Sequence, residues 1–132
     1  SYLYATPRDF ARFGWLWIND GCWDGERLLP EGWVADSTVV TDAYRYGSLD
    51  GDDDVQGRQW WLNIAVPEQG VEKPWPDAPD DAYAALGHWG QSICVIPSLD
   101  LVIVRTGDDR DPDDRLERRD FYPLAIAVGR AL

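Results

Sequence analysis

The sequence predicts an α+β fold, an antiparallel sheet with helices packed on it, and three observations carry that prediction. Apolar residues recur at helical spacing near both ends of the chain. The middle alternates side chains with the period of a strand, and a tight-turn signal at Pro97-Ser98-Leu99-Asp100 separates two apolar runs. At 132 residues, 45% of them hydrophobic, the chain is long enough to bury a core as a single domain spanning 1–132.

The first helix is expected from Thr6 to about Asn19. Thr6 offers a cap oxygen, Pro7 needs no amide partner in the first turn, and Asp9 favours the positive helix end. Phe10, Phe13 and Trp17 form its core stripe, and Asn19-Asp20-Gly21 stops it. Trp23-Asp24-Gly25 makes a turn, and Pro30-Glu31 opens a second, shorter helix whose Trp33 and Val34 face a core. Ser48 to Gly57, with Asp50, Asp52, Asp53 and Asp54 between glycines, reads as a solvated loop. A calcium loop starting at Asp50 fails, because Val55 and Trp61 stand where glycine and glutamate are needed.

Gln59 to Val66 is expected as a half-buried strand, with Trp60, Leu62 and Ile64 on one side and Trp61, Asn63 and Ala65 on the other. Pro67 ends it, and Glu68 to Asp81 follows as a long surface loop. Tyr83 to Trp89 and Gln91 to Ile96 are two strands or one bent at Gly90, and Leu101 to Thr106 completes a hairpin. After a mixed-charge loop from Asp108 to Arg119, Asp120 caps a last helix with a stripe of Phe121, Leu124, Ala125, Val128 and Leu132.

The formal net charge of -12 repels phosphate backbones and anionic membrane surfaces, so neither nucleic acid nor a membrane is expected as a partner. No apolar run approaches the ~20 residues of a bilayer span. Cys22 and Cys94 have no metal-ligand spacing. They form one bridge or two free thiols, and the buried-strand setting of Cys94 favours free thiols. No metal or cofactor is expected. Eight tryptophans fit either a large aromatic core or a sugar-stacking surface, for which Trp60, Trp61, Trp75 and Trp89 are the candidates.

His88 is the single histidine in the sequence, flanked by Gly87, Trp89, Gly90 and Gln91. It reads either as a space-filling residue beside a bulge or as a site residue. The glycines favour a site, because they allow close backbone approach and leave the amide of Gln91 free to face a cleft.

Three blocks then resemble one family. Ser1 to Gly14 is similar to the lead and helix that follow the active-site half of bacterial β-lactamase-related serine hydrolases. Asn19-Asp20-Gly21 with Trp23 to Val34 is similar to their next stretch, and Gly87 to Gln91 with Val95 to Gly107 resembles their third motif and the hairpin after it. The ordered set points to the β-lactamase and penicillin-binding-protein superfamily, in its esterase or 6-aminohexanoate-dimer-hydrolase-like branch.

The resemblance implies that an active-site serine attacks an amide, ester or lactam carbonyl and that the acyl-enzyme is then resolved. It implies a small-molecule substrate, with His88 in place of the motif lysine and Gln91 supplying an oxyanion-hole amide. Gly90 packs close to the first motif, and Trp89 contacts substrate where many members carry threonine, which disfavours lactam specificity. None of the serines has a lysine three residues later, since the single lysine, Lys73, is preceded at that spacing by Gly70, and the segment beginning at Tyr4 offers no Tyr-x-Asn or Tyr-x-Ser. The chain is therefore expected to be the C-terminal part of a longer hydrolase, inactive alone, partnered by the missing N-terminal part and prone to self-association through an uncovered sheet face or edge. The rival reading is a non-catalytic carbohydrate-binding or interaction module. The compartment is not encoded in these residues.

Overall fold

The computed structural model describes residues 3–47, 55–108, 110–111 and 118–131, with side chains of the last helix from Tyr122 onward. The aspartates between 50 and 54, the Asp120 cap, and the side chains of Phe121 and Leu132 lie outside that description.

Helix α1 (Pro7–Ile18) begins as the sequence dictates. The Thr6 hydroxyl oxygen accepts from the Asp9 amide at 3.2 Å, while the Asp9 carboxylate accepts from the Thr6 amide at 3.3 Å. This reciprocal box satisfies two otherwise orphan donors. A short hairpin, β1 (Cys22–Trp23) and β2 (Glu26–Arg27), turns at Asp24 and Gly25 as expected. Helix α2 (Trp33–Ser37) begins three residues later than Pro30 because Gly32, at φ 78°, first closes a turn in which the Trp33 amide donates to the Pro30 carbonyl. Trp33 is exposed and Val34 alone packs inward, since neighbouring helical positions point about 100° apart. Helix α3 (Asp42–Tyr46), capped by Thr41, was not foreseen.

The central sheet has strand order β3-β4-β5-β6, all antiparallel: β3 (Trp61–Leu62), β4 (Tyr83–Leu86), β5 (Ser92–Ile96) and β6 (Leu101–Arg105). β3 is much shorter than the expected Gln59 to Val66. Gln59 takes φ 70°, which breaks extended backbone on one side. On the other side Asn63 still donates its amide to the Ala82 carbonyl at 3.0 Å, and its side chain is taken up by the segment that follows. That side chain is fully buried and donates to the carbonyls of Trp75, Ala78 and Pro79, while its Oδ1 accepts the Trp75 amide at 2.7 Å. It thereby pulls the Glu68 to Asp81 segment inward, so this stretch is no simple surface loop: Trp75 and Ala78 are core residues.

Both sheet faces are covered, and alternation along β5 sorts the cover. Ile93 and Val95 look toward α1, with Trp17, Trp60, Leu62 and Tyr83. Gly14 lets α1 lie close, because a Cβ there would sit 2.6 Å from Val102 Cγ1. Cys94 and Ile96 look the other way, toward Trp75 and helix α4 (Arg118–Ala131). α4 starts before Asp120, and its buried stripe is Tyr122, Ala125 and Ile126, with Leu124 and Val128 exposed. The expected stripe is rotated by about one residue. The rotation brings Gly129 over Leu101, where a Cβ would meet a Leu101 methyl at 2.6 Å. Among the described residues β6 ends the sheet order with an open edge, and both sheet faces carry packed side chains.

The aromatic core is smaller than expected. Trp17 is buried at 4.6 Å from the Trp60 ring, Phe10 is half-buried, and Phe13 is 44% exposed although it stacks on Trp60. Both cysteines are free, Cys94 in the core.

Candidate active-site turn

β4 and β5 are joined by Gly87 to Gln91, and His88–Gly90 forms a one-turn 3-10 helix. The strands expected through Trp89 and from Gln91 stop at Leu86 and begin at Ser92, so His88 stands at the apex of a hairpin turn and not within a strand. Gly87 is required by close approach: a Cβ on it would lie 2.8 Å from Gln91 Cβ. Gly90 takes φ 81°, which glycine adopts without steric cost. Trp89 also sits in the left-handed region, at φ 54° and ψ 43°, an unfavourable setting for a bulky residue.

The turn is tied to the end of β6 on two sides. Arg105 Nη1 donates to the Gly90 carbonyl at 2.6 Å. The Gln91 side-chain amide donates to the Gly107 carbonyl, and its oxygen accepts the Gly107 amide at 3.3 Å. The Gly87 amide donates to the Gln91 carbonyl at 2.9 Å, but no return bond forms. Among the described residues the backbone N–H of Gln91 makes no hydrogen bond of ordinary length and angle. Two other one-turn helices, Pro67–Gln69 and Pro97–Leu99, close with such a bond, from Gly70 to Pro67 and from Asp100 to Pro97, each at 3.0 Å.

The sequence-selected residues therefore come together: His88 and Trp89 are exposed, with ring centroids 4.6 Å apart, and Gly90 and Gln91 are half-buried beneath them. Arg110 lies over the Trp89 ring at 5.1 Å and pairs with Asp108, whose carboxyl is held below its ordinary range by that hydrogen bond. Arg105, Gly107 and Arg110 were not singled out from the sequence. Arg105 and Gly107 stand in the hairpin block that carried the resemblance, yet nothing in their spacing tells that they reach back to the turn.

The sugar-platform candidates do not share a surface. Trp60 and Trp75 are 3% and 5% exposed, buried on opposite sides of the sheet, and only Trp89 of the four is exposed. Among the described residues no group of three or more His, Cys, Asp or Glu side chains could hold a metal ion, and no helix is long and apolar enough to cross a membrane.

No protein-family model matches the chain. Over 130 residues, 97% of its length, it is 28% identical to a 6-aminohexanoate-dimer hydrolase of Paenarthrobacter ureafaciens. Its structure superposes on a putative 6-aminohexanoate-dimer hydrolase from Bacillus anthracis with a TM-score of 0.65, at 24% identity, over 96% of this chain. It spans 30% of the length of the first and 29% of the second. The chain thus has an α+β fold and is similar, along nearly its whole length, to about three tenths of a 6-aminohexanoate-dimer hydrolase, a name that stands within the branch its sequence resembles.

Proposed function

We propose that this chain is the C-terminal part of a serine hydrolase that cleaves a small-molecule amide or ester through an acyl-enzyme, and that it supplies the oxyanion-hole strand end. The carrying observation is the Gln91 N–H, left without a well-formed hydrogen bond in a turn whose Gly87 amide, Gly90 carbonyl and Gln91 side chain are held. An amide without such a bond in a fixed turn is the preorganised donor that a developing oxyanion needs.

In this reading a serine of the N-terminal part attacks the substrate carbonyl. The carbonyl oxygen takes up negative charge and accepts from the Gln91 N–H and from the serine's own amide. Collapse expels the amine or alcohol, and water then releases the acid. His88, exposed at the turn apex, orients a proton-transfer group or a substrate carboxylate, and Trp89 lines the substrate path above Gly90. The dimer of an amino acid, which names both relatives, is joined by an amide, and this favours amide over lactam cleavage, as does Trp89 in the place of threonine. The missing part is expected to pair with the open edge of β6, and the isolated piece to self-associate there.

The test is fluorophosphonate labelling of the full-length protein, with Gln91→Pro against Gln91→Ala. Gln91 lies at φ -68°, which proline adopts without strain, so Gln91→Pro deletes the N–H at little backbone cost. Expected are rapid labelling of the full-length protein, none of the isolated chain, and a roughly 100-fold loss of turnover in Gln91→Pro, worth about 3 kcal/mol. Gln91→Ala keeps the donor and should retain most of the turnover. Labelling of the isolated chain, or full turnover in Gln91→Pro, would sink the reading.

A further inference from the structure

We infer that Arg105 is a positioning residue that aims the Gln91 N–H by holding the carbonyl on the other side of the same peptide bond. The inference rests on the proposed oxyanion role of Gln91 and concerns how that donor is fixed. A trans peptide is planar, and its carbonyl and N–H point in opposite directions. The peptide between Gly90 and Gln91 is therefore a two-ended pointer: whatever fixes the Gly90 carbonyl fixes the direction of the Gln91 N–H.

That fixing is needed at this place. Gly90, at φ 81°, has no side chain to restrict rotation of the peptide, and the return bond from Gln91 that would lock an ordinary turn is missing. Left to itself, the peptide can swing to bury its N–H against the turn. Arg105 Nη1, 2.6 Å from the Gly90 oxygen, opposes that swing with a charge-assisted bond.

The guanidinium is itself seated. Gly107 leaves room for it, because a Cβ at Gly107 would lie 2.7 Å from Nη1 and 2.9 Å from Cζ. The Gln91 side chain bonds to both polar groups of the same Gly107. One strand end thus holds the carbonyl before the donor and the side chain beyond it, on either side of the Gln91 amide.

The experiment uses the full-length protein and steady-state hydrolysis of p-nitrophenyl butyrate, with active sites titrated by a fluorophosphonate. Inhibition by a boronic acid reports affinity for a tetrahedral adduct. Arg105→Gln should lower kcat by about tenfold to 100-fold with KM within about twofold, and weaken boronate binding by a similar factor. Arg105→Lys, which keeps a donor, should recover part of both. Gly107→Ala, which crowds the guanidinium and leaves every residue from Gly87 to Gln91 unchanged, should lower kcat several-fold and serves if Arg105→Gln folds poorly. Arg105→Gln with kcat and boronate affinity within twofold of wild type overturns the inference, as does a lower melting temperature with kcat per titrated site unchanged. An inert Gln91→Pro removes the oxyanion reading itself, whereas an impaired Gln91→Pro beside an unimpaired Arg105→Gln removes only the role of Arg105.

Discussion

β5 has a one-turn helix at each end, and the two are built to opposite purposes. At its C-terminal end Pro97 to Asp100 closes on itself: the Asp100 amide returns to the Pro97 carbonyl, and the Asp81 carboxylate takes both the amide and the hydroxyl of Ser98, at 2.6 and 2.8 Å. The left-handed position there is an aspartate, at φ 49°, a residue that tolerates it. At its N-terminal end Gly87 to Gln91 leaves its closing amide without a well-formed bond, puts a tryptophan in the left-handed position and recruits β6 to hold the shape. A turn that only connects strands satisfies its own groups, whereas one that presents a donor must be held from outside.

The comparison breaks first on a double dissociation. Gln91→Pro should cost about two orders of magnitude in turnover relative to Gln91→Ala, with the two variants unfolding at nearly the same midpoint because both give up the side-chain bonds to Gly107. Asp81→Ala at the other turn should leave kcat within about twofold and lower stability by about 1 to 2 kcal/mol, as read by urea denaturation. Loss of turnover in both variants would mean that the two ends are not functionally distinct.

A smaller effect separates the two left-handed residues. Trp89→Asn relieves an unfavourable backbone and gives up little burial, since Trp89 is 47% exposed, so it should gain about 0.5 kcal/mol of stability. Asp100→Asn should change stability by less than about 0.5 kcal/mol. The same denaturation series checks both.

Between the turns β5 is sealed. Burial pushes the Cys94 thiol up to about 12, and its pairing with Tyr122 only partly opposes this. Cys22 is half-exposed. Titration with a disulfide reagent at about pH 8 should therefore modify Cys22 alone, with Cys94 reacting only in denaturant. Rapid reaction of Cys94 in the native protein would show that the sheet opens.

The least effect concerns α1, whose start lies away from both turns. The Asp9 carboxyl is lowered from 3.8, first by its bond to the Thr6 side chain and then by Arg12. A depressed folded pKa contributes stability that is present above the unfolded value and lost as pH falls through the folded one. Helicity followed by circular dichroism should show a small loss as pH drops below about 4, and Asp9→Asn should remove that dependence.

The start of α1, the hairpin turn at Asp24 and Gly25, the strand pair across Pro97, and the grouping of His88 to Gln91 were legible because each rests on neighbours in sequence. Thr6 and Asp9 meet because they are three residues apart. The exposure of Trp33, the shortness of β3 and the phase of α4 were not legible. The last two depend on distant partners, the 75–79 segment that Asn63 grips and Leu101 beneath Gly129, and the first on the left-handed Gly32 that sets where α2 begins.

By itself the sequence determined the fold class, the family resemblance and the absence of a Ser-x-x-Lys nucleophile, since residue type, period and motif spacing are properties of the chain before it folds. Only the tertiary structure decided which groups hold the Gly87 to Gln91 turn. Gly107 lies sixteen residues from Gln91, and Arg105 fifteen from Gly90. No local rule links them, and they meet because the register of β5 against β6, Ser92 opposite Arg105, sets the end of one strand beside the beginning of the other.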